Sequence, residues 1–217
     1  MVTLLYGTTN PAKLSSMRKA LKPLQIEILG LKDMGGEIPE VIEDGSTPLE
    51  NARKKAHAYY EHYKIPVFSC DSGLYFEGLP EHLQPGIHVR TFFGSYFTDK
   101  EMLDYYSGLA LQYGDIKARY YNAICLITDG EHIYESMDES LASNPFLITS
   151  KPYPYVREGF PLDSLSIDIT SGKYYYELSD KKQEKITDAD ADELVGYDGF
   201  VDFFNKCVAI QPKRVIL

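Results

Sequence analysis

The chain has 217 residues, 44% apolar and 25% charged, with a formal net charge of −10. That length and composition suit one substantial core and argue against a disordered chain. The acidic balance, with no long basic run, excludes a surface built to grip nucleic-acid polymers, and no apolar run reaches the roughly 20 residues that cross a bilayer.

The N-terminal MVTLLYGTTN lacks the basic flank and long apolar centre of a signal peptide and reads as a first strand. The next stretch, NPAKLSSMRKALK, reads as a helix with Asn10 as N-cap and Pro11 at its first position, burying Leu14, Met17 and Leu21. Such a start offers free N–H groups to an anion. Lys13 sits in that first turn, where the helix dipole favours an acid, so it reads either as a phosphate neighbour or as a solvated surface lysine. QIEILGL follows as a second strand. A capping box at Thr47 and Glu50 then opens TPLENARKKAHAYYEHY, with Leu49, Ala52, Ala56, Tyr59 and Tyr63 as its core stripe. Asn51 and Lys55 share another face, and Glu43 lies on the loop that feeds this helix. Taken alone, this is an ordinary amphipathic helix.

In VFSCDSGLYF an apolar run is broken at Asp71, Ser72 and Gly73 and then resumes. The break reads as a tight turn or as a carboxylate held at the end of a buried strand, where α/β proteins keep their chemistry. Met102, Leu103, Tyr106 and Leu109 predict a helix over 99–113. KARYYNAICLIT, EHIYESMDESL and the stretch 165–178 read as strand-rich and antiparallel, and DADELVGYDGFVDFFNKCV as a helical or mixed closing segment. Strands alternating with helices predict an α/β sheet with crossover helices, and no linker divides the chain, so residues 1–217 are expected to form one domain. Cys70, Cys125 and Cys207 show no CxxC pairing and read as reduced, buried thiols of a cytoplasmic protein; the five histidines carry no zinc spacing. Glu43 and Asp71 both follow apolar segments, and two carboxylates there suit Mg²⁺ while one activates water.

The order TTNPAK, EDGSTPLENARKKA, then DSGL followed by QPGIHVR resembles the inosine triphosphate pyrophosphatase (HAM1-like) family over about residues 4–178. That resemblance implies an elongated mixed sheet with flanking helices and two lobes around a central cleft, as a homodimer. The implied activity is Mg²⁺-dependent hydrolysis of noncanonical purine nucleoside triphosphates to monophosphate and pyrophosphate. It assigns phosphate binding to Thr8, Asn10, Lys13 and Lys55, metal binding to Glu43 and Asp71, the catalytic base to Asp71, and substrate contacts to Ser72, Phe160 and Asp163. The DSG break is then an active-site turn. Three features depart from the family pattern. Cys70 stands where a second acid is usual, and GFPLDS (159–164) replaces a GFGYDP-like run. The purine-reading Ser-His-Arg is missing: SDKKQEKITDADADEL holds no His or Arg, leaving Lys182 or Lys185 as possible substitutes. A nucleotide-binding protein without catalysis, or a phosphohydrolase with another nucleotide substrate, are the alternative readings.

Overall fold

The computed structural model describes residues 2–92, 94–178 and 197–209. β1 (Val2–Tyr6), α1 (Pro11–Leu21) and β2 (Ile26–Gly30) form a parallel crossover unit, with Val2 opposite Ile26 and Tyr6 opposite Gly30. α2 (Pro48–Tyr63) leads into β3 (Val67–Phe76), which runs parallel to β1 over only two residues, Leu5 opposite Val67 and Tyr6 opposite Phe68. The two short strands β4 (Thr91–Phe92) and β5 (Ser95–Tyr96) form a separate ribbon ahead of α3 (Asp99–Tyr113). β6 (Ile116–Ile127) then pairs antiparallel with the whole of β3, from Val67 opposite Ile127 to Phe76 opposite Ala118. β7 (Ile133–Ser136) and β8 (Phe146–Ile148) pair with opposite ends of β6, and β9 (Ser166–Asp168) closes the order β2-β1-β3-β6-β8-β9. α4 (Asp198–Ala209) ends the described chain.

The long β3–β6 pair belongs to three cores. At one end Phe68, Ile124 and Leu126 pack with Leu4, Met17 and Phe204 beneath α1 and α4. On the reverse face of that same end, Val67, Ala123 and Cys125 pack with Ala52, Ala56 and Tyr59 of α2. At the far end Leu74, Phe76, Ile116 and Phe146 pack with Met102 and Tyr106 of α3. Strand alternation puts Leu74 and Phe76 on the face of Phe68, so α1 and α3 lie on the same side of the sheet. Residues 71–73 form the waist between the cores.

Three sequence expectations change here. The DSG break is not a turn. Asp71, Ser72 and Gly73 continue β3, paired with Ala123, Asn122 and Tyr121. The residue types suit a turn, but an uninterrupted ladder of ten pairs to β6 outweighs that local preference. The stretch 165–178 is less strand-rich than its apolar pattern suggests: β9 has three residues and Tyr175–Glu177 form a short 3₁₀ turn. Likewise only Ile133–Ser136 of EHIYESMDESL is strand, with a 3₁₀ turn at Glu139–Leu141. The helix 99–113 stands where expected, with Met102, Tyr106 and Leu109 buried.

Candidate active site

β1 stops at Tyr6, so β3 has no parallel neighbour beyond Phe68 and Asp71 emerges past the end of β1. The start of α1 fills that edge. Asn10 caps it, its Oδ1 accepting from Ala12 N at 2.9 Å and Lys13 N at 3.2 Å, while Thr8 Oγ1 accepts from Asn10 N at 3.2 Å. Thr8 and Asn10 therefore shape the helix entrance, and no acid occupies its first turn. The Lys13 side chain has no ion pair or hydrogen bond among the described residues. Burial holds its ammonium below the ordinary lysine range; Lys55 pushes in the same direction and Asp71 pulls back. Lys13 thus shares a field with both.

From the other face of the sheet, α2 sends Lys55 to the same place. Lys55 is 8% exposed, and its Nζ lies 2.6 Å from Glu43 Oε2 and 3.1 Å from Asp71 Oδ1. Burial alone would lower its pKa, but the Asp71 and Glu43 carboxylates outweigh that and raise it, so Lys55 is a cation throughout the neutral range. The loop bearing Glu43 is anchored by Asn51, 3% exposed, whose Oδ1 accepts from Gly45 N at 2.8 Å. A Cβ on Gly45 would lie 2.6 Å from that oxygen, so the loop closes on Asn51 only with glycine there. Thr47 caps α2 by accepting from Glu50 N, but the Glu50 carboxylate takes Ser46 N at 2.7 Å, one residue short of a closed capping box. Sequence spacing placed Asn51 and Lys55 off the core stripe as ordinary polar residues. Both are buried because the loop 43–46 and the waist of β3 fold over that face.

The remaining candidates separate. Asp71 and Ser72 alternate: Asp71 faces α2, and Ser72 turns to the opposite face with Cys70 and Asn122. Cys70 is 8% exposed and packs in the core with Tyr6 and Ile124; burial pushes its thiol up to about 12. It is a structural thiol, protonated at neutral pH, and not a nucleophile. Phe160 lies under the Arg157 guanidinium, 4.8 Å from ring centroid to Cζ, beside the turn that touches Asn10. Asp163 instead lines a cavity of about 210 Å³ with Tyr120, Asn144, Ser166 and Tyr175. Lys182 and Lys185 lie outside the described residues. Arg90, from the QPGIHVR stretch, is held by Asp99 at 2.6 Å and stacks on Tyr96.

Two carboxylates and two lysines thus converge at a helix N-terminus and a sheet edge, an arrangement suited to a polyanion presented with a hard cation. A family model described as the Ham1 family matches residues 4–187. A dITP/XTP pyrophosphatase of Aquifex aeolicus is 41% identical over 98 residues, 45% of this chain and 46% of that protein. One of Syntrophobacter fumaroxidans is 30% identical over 190 residues, 85% of this chain and 75% of that protein. The structure of a HAM1 protein from Coxiella burnetii superposes with a TM-score of 0.72 at 19% identity, covering 97% of this chain and 100% of that one, a likeness of fold. The chain belongs to the Ham1 family. It spans about half the length of the Aquifex relative that it matches.

Proposed function

We propose that this chain is a nucleoside triphosphate pyrophosphatase, hydrolysing noncanonical purine triphosphates such as dITP and XTP to the monophosphate and pyrophosphate. The observation that carries this reading is the bridge from Glu43 through Lys55 to Asp71, with Lys13 alongside. The relatives named dITP/XTP pyrophosphatase support it.

The donor set fits Mg²⁺. Glu43 and Asp71 offer hard carboxylate oxygens, and Mg²⁺ is commonly held by one or two carboxylates together with substrate phosphates. When bound, the ion neutralises phosphate charge and acidifies a water. The protein's own residues do the rest. The first turn of α1 and Lys13 receive the phosphate chain, oriented by the Asn10 cap and Thr8. Lys55 sets Asp71 in place and balances the charge that grows on the departing pyrophosphate. Asp71 takes a proton from the water that attacks the α-phosphorus. Ser72, Phe160 and Asp163 contact the nucleoside side of the substrate, and the two lobes act as one domain around the cleft.

The three buried thiols accord with a reducing, cytoplasmic setting. The homodimer expected for the family belongs to the same reading, with light scattering as its check. The test of the activity is a panel of ITP, XTP, dITP and the four standard triphosphates with Mg²⁺, quantifying pyrophosphate and orthophosphate separately. Pyrophosphate from ITP, XTP or dITP in preference to the four standard triphosphates supports the proposal. Orthophosphate as the product, or nucleotide bound and left intact, rejects it in favour of another phosphohydrolase or of a binding protein.

A further inference from the structure

The turn 157–160 crosses from the start of α1 to the start of α3, and contacts on both sides fasten it. Arg157, 3% exposed, donates from Nη2 to Ser16 Oγ inside α1 at 3.0 Å. Phe160 N donates to Arg157 O at 3.0 Å and closes the turn. Gly159 N donates to Asp99 Oδ2 at 2.9 Å, on the first residue of α3, and Gly159 O accepts from Asn10 Nδ2 at 3.4 Å. The other oxygen of Asp99 is held by Arg90 at 2.6 Å. Asn10 is the residue that caps α1, so this turn grips the helix at its cap and again one turn and a half further along.

Gly159 is the tightest point. Its φ is +82°, in the region that favours glycine, and a Cβ there would lie 2.9 Å from Asn10 Oδ1. That oxygen accepts the N–H groups of Ala12 and Lys13. A side chain at 159 therefore forces either the cap oxygen or the turn that touches it to shift.

We propose that Gly159 and Arg157 are positioning residues for the triphosphate, holding the Asn10 cap, and with it the first turn of α1 and Lys13, in fixed relation to α3 through Asp99. The proposal rests on reading the cleft as a triphosphate site. It deepens that reading by tying phosphate grip at the start of α1 to a turn anchored on α3. Small displacements at such a point weaken binding without touching the group that performs the chemistry.

The probe is inorganic tripolyphosphate, which has no base and reports the phosphate seat alone, titrated calorimetrically into the full chain with Mg²⁺. Gly159→Ala is expected to weaken its binding about tenfold and to raise KM for the nucleotide in parallel, with kcat changed less than about threefold. Ser16→Ala, which removes the Arg157 contact together with the Ser16 Oγ bond to Ala12 O, is expected to weaken it about threefold, and Arg157→Lys, which leaves Ser16 and Ala12 untouched, to retain more affinity than Arg157→Ala. Should Gly159→Ala fail to fold, the Ser16 and Arg157 variants decide. Unchanged tripolyphosphate affinity in folded variants, or a fall in kcat at constant KM, overturns the proposal, as does a parent protein that does not bind tripolyphosphate. If the parent binds it and the variants weaken it, yet no triphosphate is hydrolysed, the positioning role stands and the proposed activity falls.

Discussion

Replacing Lys13 should make the ligand-free protein more stable and its phosphate binding worse. The side chain is partly buried, its ammonium has no carboxylate partner among the described residues, and Lys55 adds repulsion. Burying an unpaired ammonium completely costs several kcal/mol. Since Lys13 is only partly buried, Lys13→Met should recover about 1 kcal/mol, or about 2–4 °C in Tm for a chain of this size. If Lys13 receives phosphate as proposed, the same substitution removes a charge-assisted contact worth about 1.5–3 kcal/mol, so tripolyphosphate should bind roughly ten- to a hundredfold more weakly. Thermal melts with and without tripolyphosphate read both effects. The pH dependence has a definite sign. The folded pKa of Lys13 lies below its ordinary value, so the penalty is fully present below that lowered value and fades as pH rises from it towards 10.5. The stability advantage of the variant over the parent should shrink over the same window. A variant less stable than the parent, or one that binds tripolyphosphate equally well, would refute this reasoning.

Asp71→Asn should abolish steady-state pyrophosphate release, by at least about a hundredfold, while circular dichroism and Tm show the fold retained. Retained turnover would remove Asp71 from the reaction. Asn51→Ala leaves the buried Gly45 N–H without its acceptor and should cost about 1–3 kcal/mol in denaturant unfolding. It should also raise the Mg²⁺ concentration needed for half-maximal activity, because the Glu43 loop loses its anchor. The thiols of Cys70 and Cys125 are pushed up to about 12 and that of Cys207 to about 11 by burial. Iodoacetamide at pH 8 should therefore label the native protein negligibly and all three cysteines once it is unfolded. Rapid labelling of native Cys70 would contradict its place in the core.

Local chemistry wrote some of this structure plainly into the chain. Asn10 followed by Pro11 marks the start of α1, and the periodicity of Met102, Tyr106 and Leu109 marks α3, since caps and stripes are set by residues within a few positions of one another. The pairing of Glu43 with Asp71 was legible from their places after apolar segments, but the arrival of Lys55 between them rested on the order of motifs that resembles the family, because no spacing rule brings a loop, a helix and a strand together. Three features were hidden for physical reasons. Asp71–Gly73 look like a turn until β6 supplies a partner about fifty residues later. Lys55 and Asn51 look solvent-facing until the 43–46 loop covers them. The contact of Gly159 with Asn10 spans 149 residues, and no local pattern encodes it.

The decisive measurement is single-turnover hydrolysis of dITP in ¹⁸O-labelled water with Mg²⁺, the products resolved by mass spectrometry. Attack on the α-phosphorus at the Lys13–Lys55–Asp71 cleft requires one ¹⁸O in the nucleoside monophosphate and none in an intact pyrophosphate. Label in pyrophosphate, label in released orthophosphate, or no turnover with the nucleotide recovered intact would contradict it.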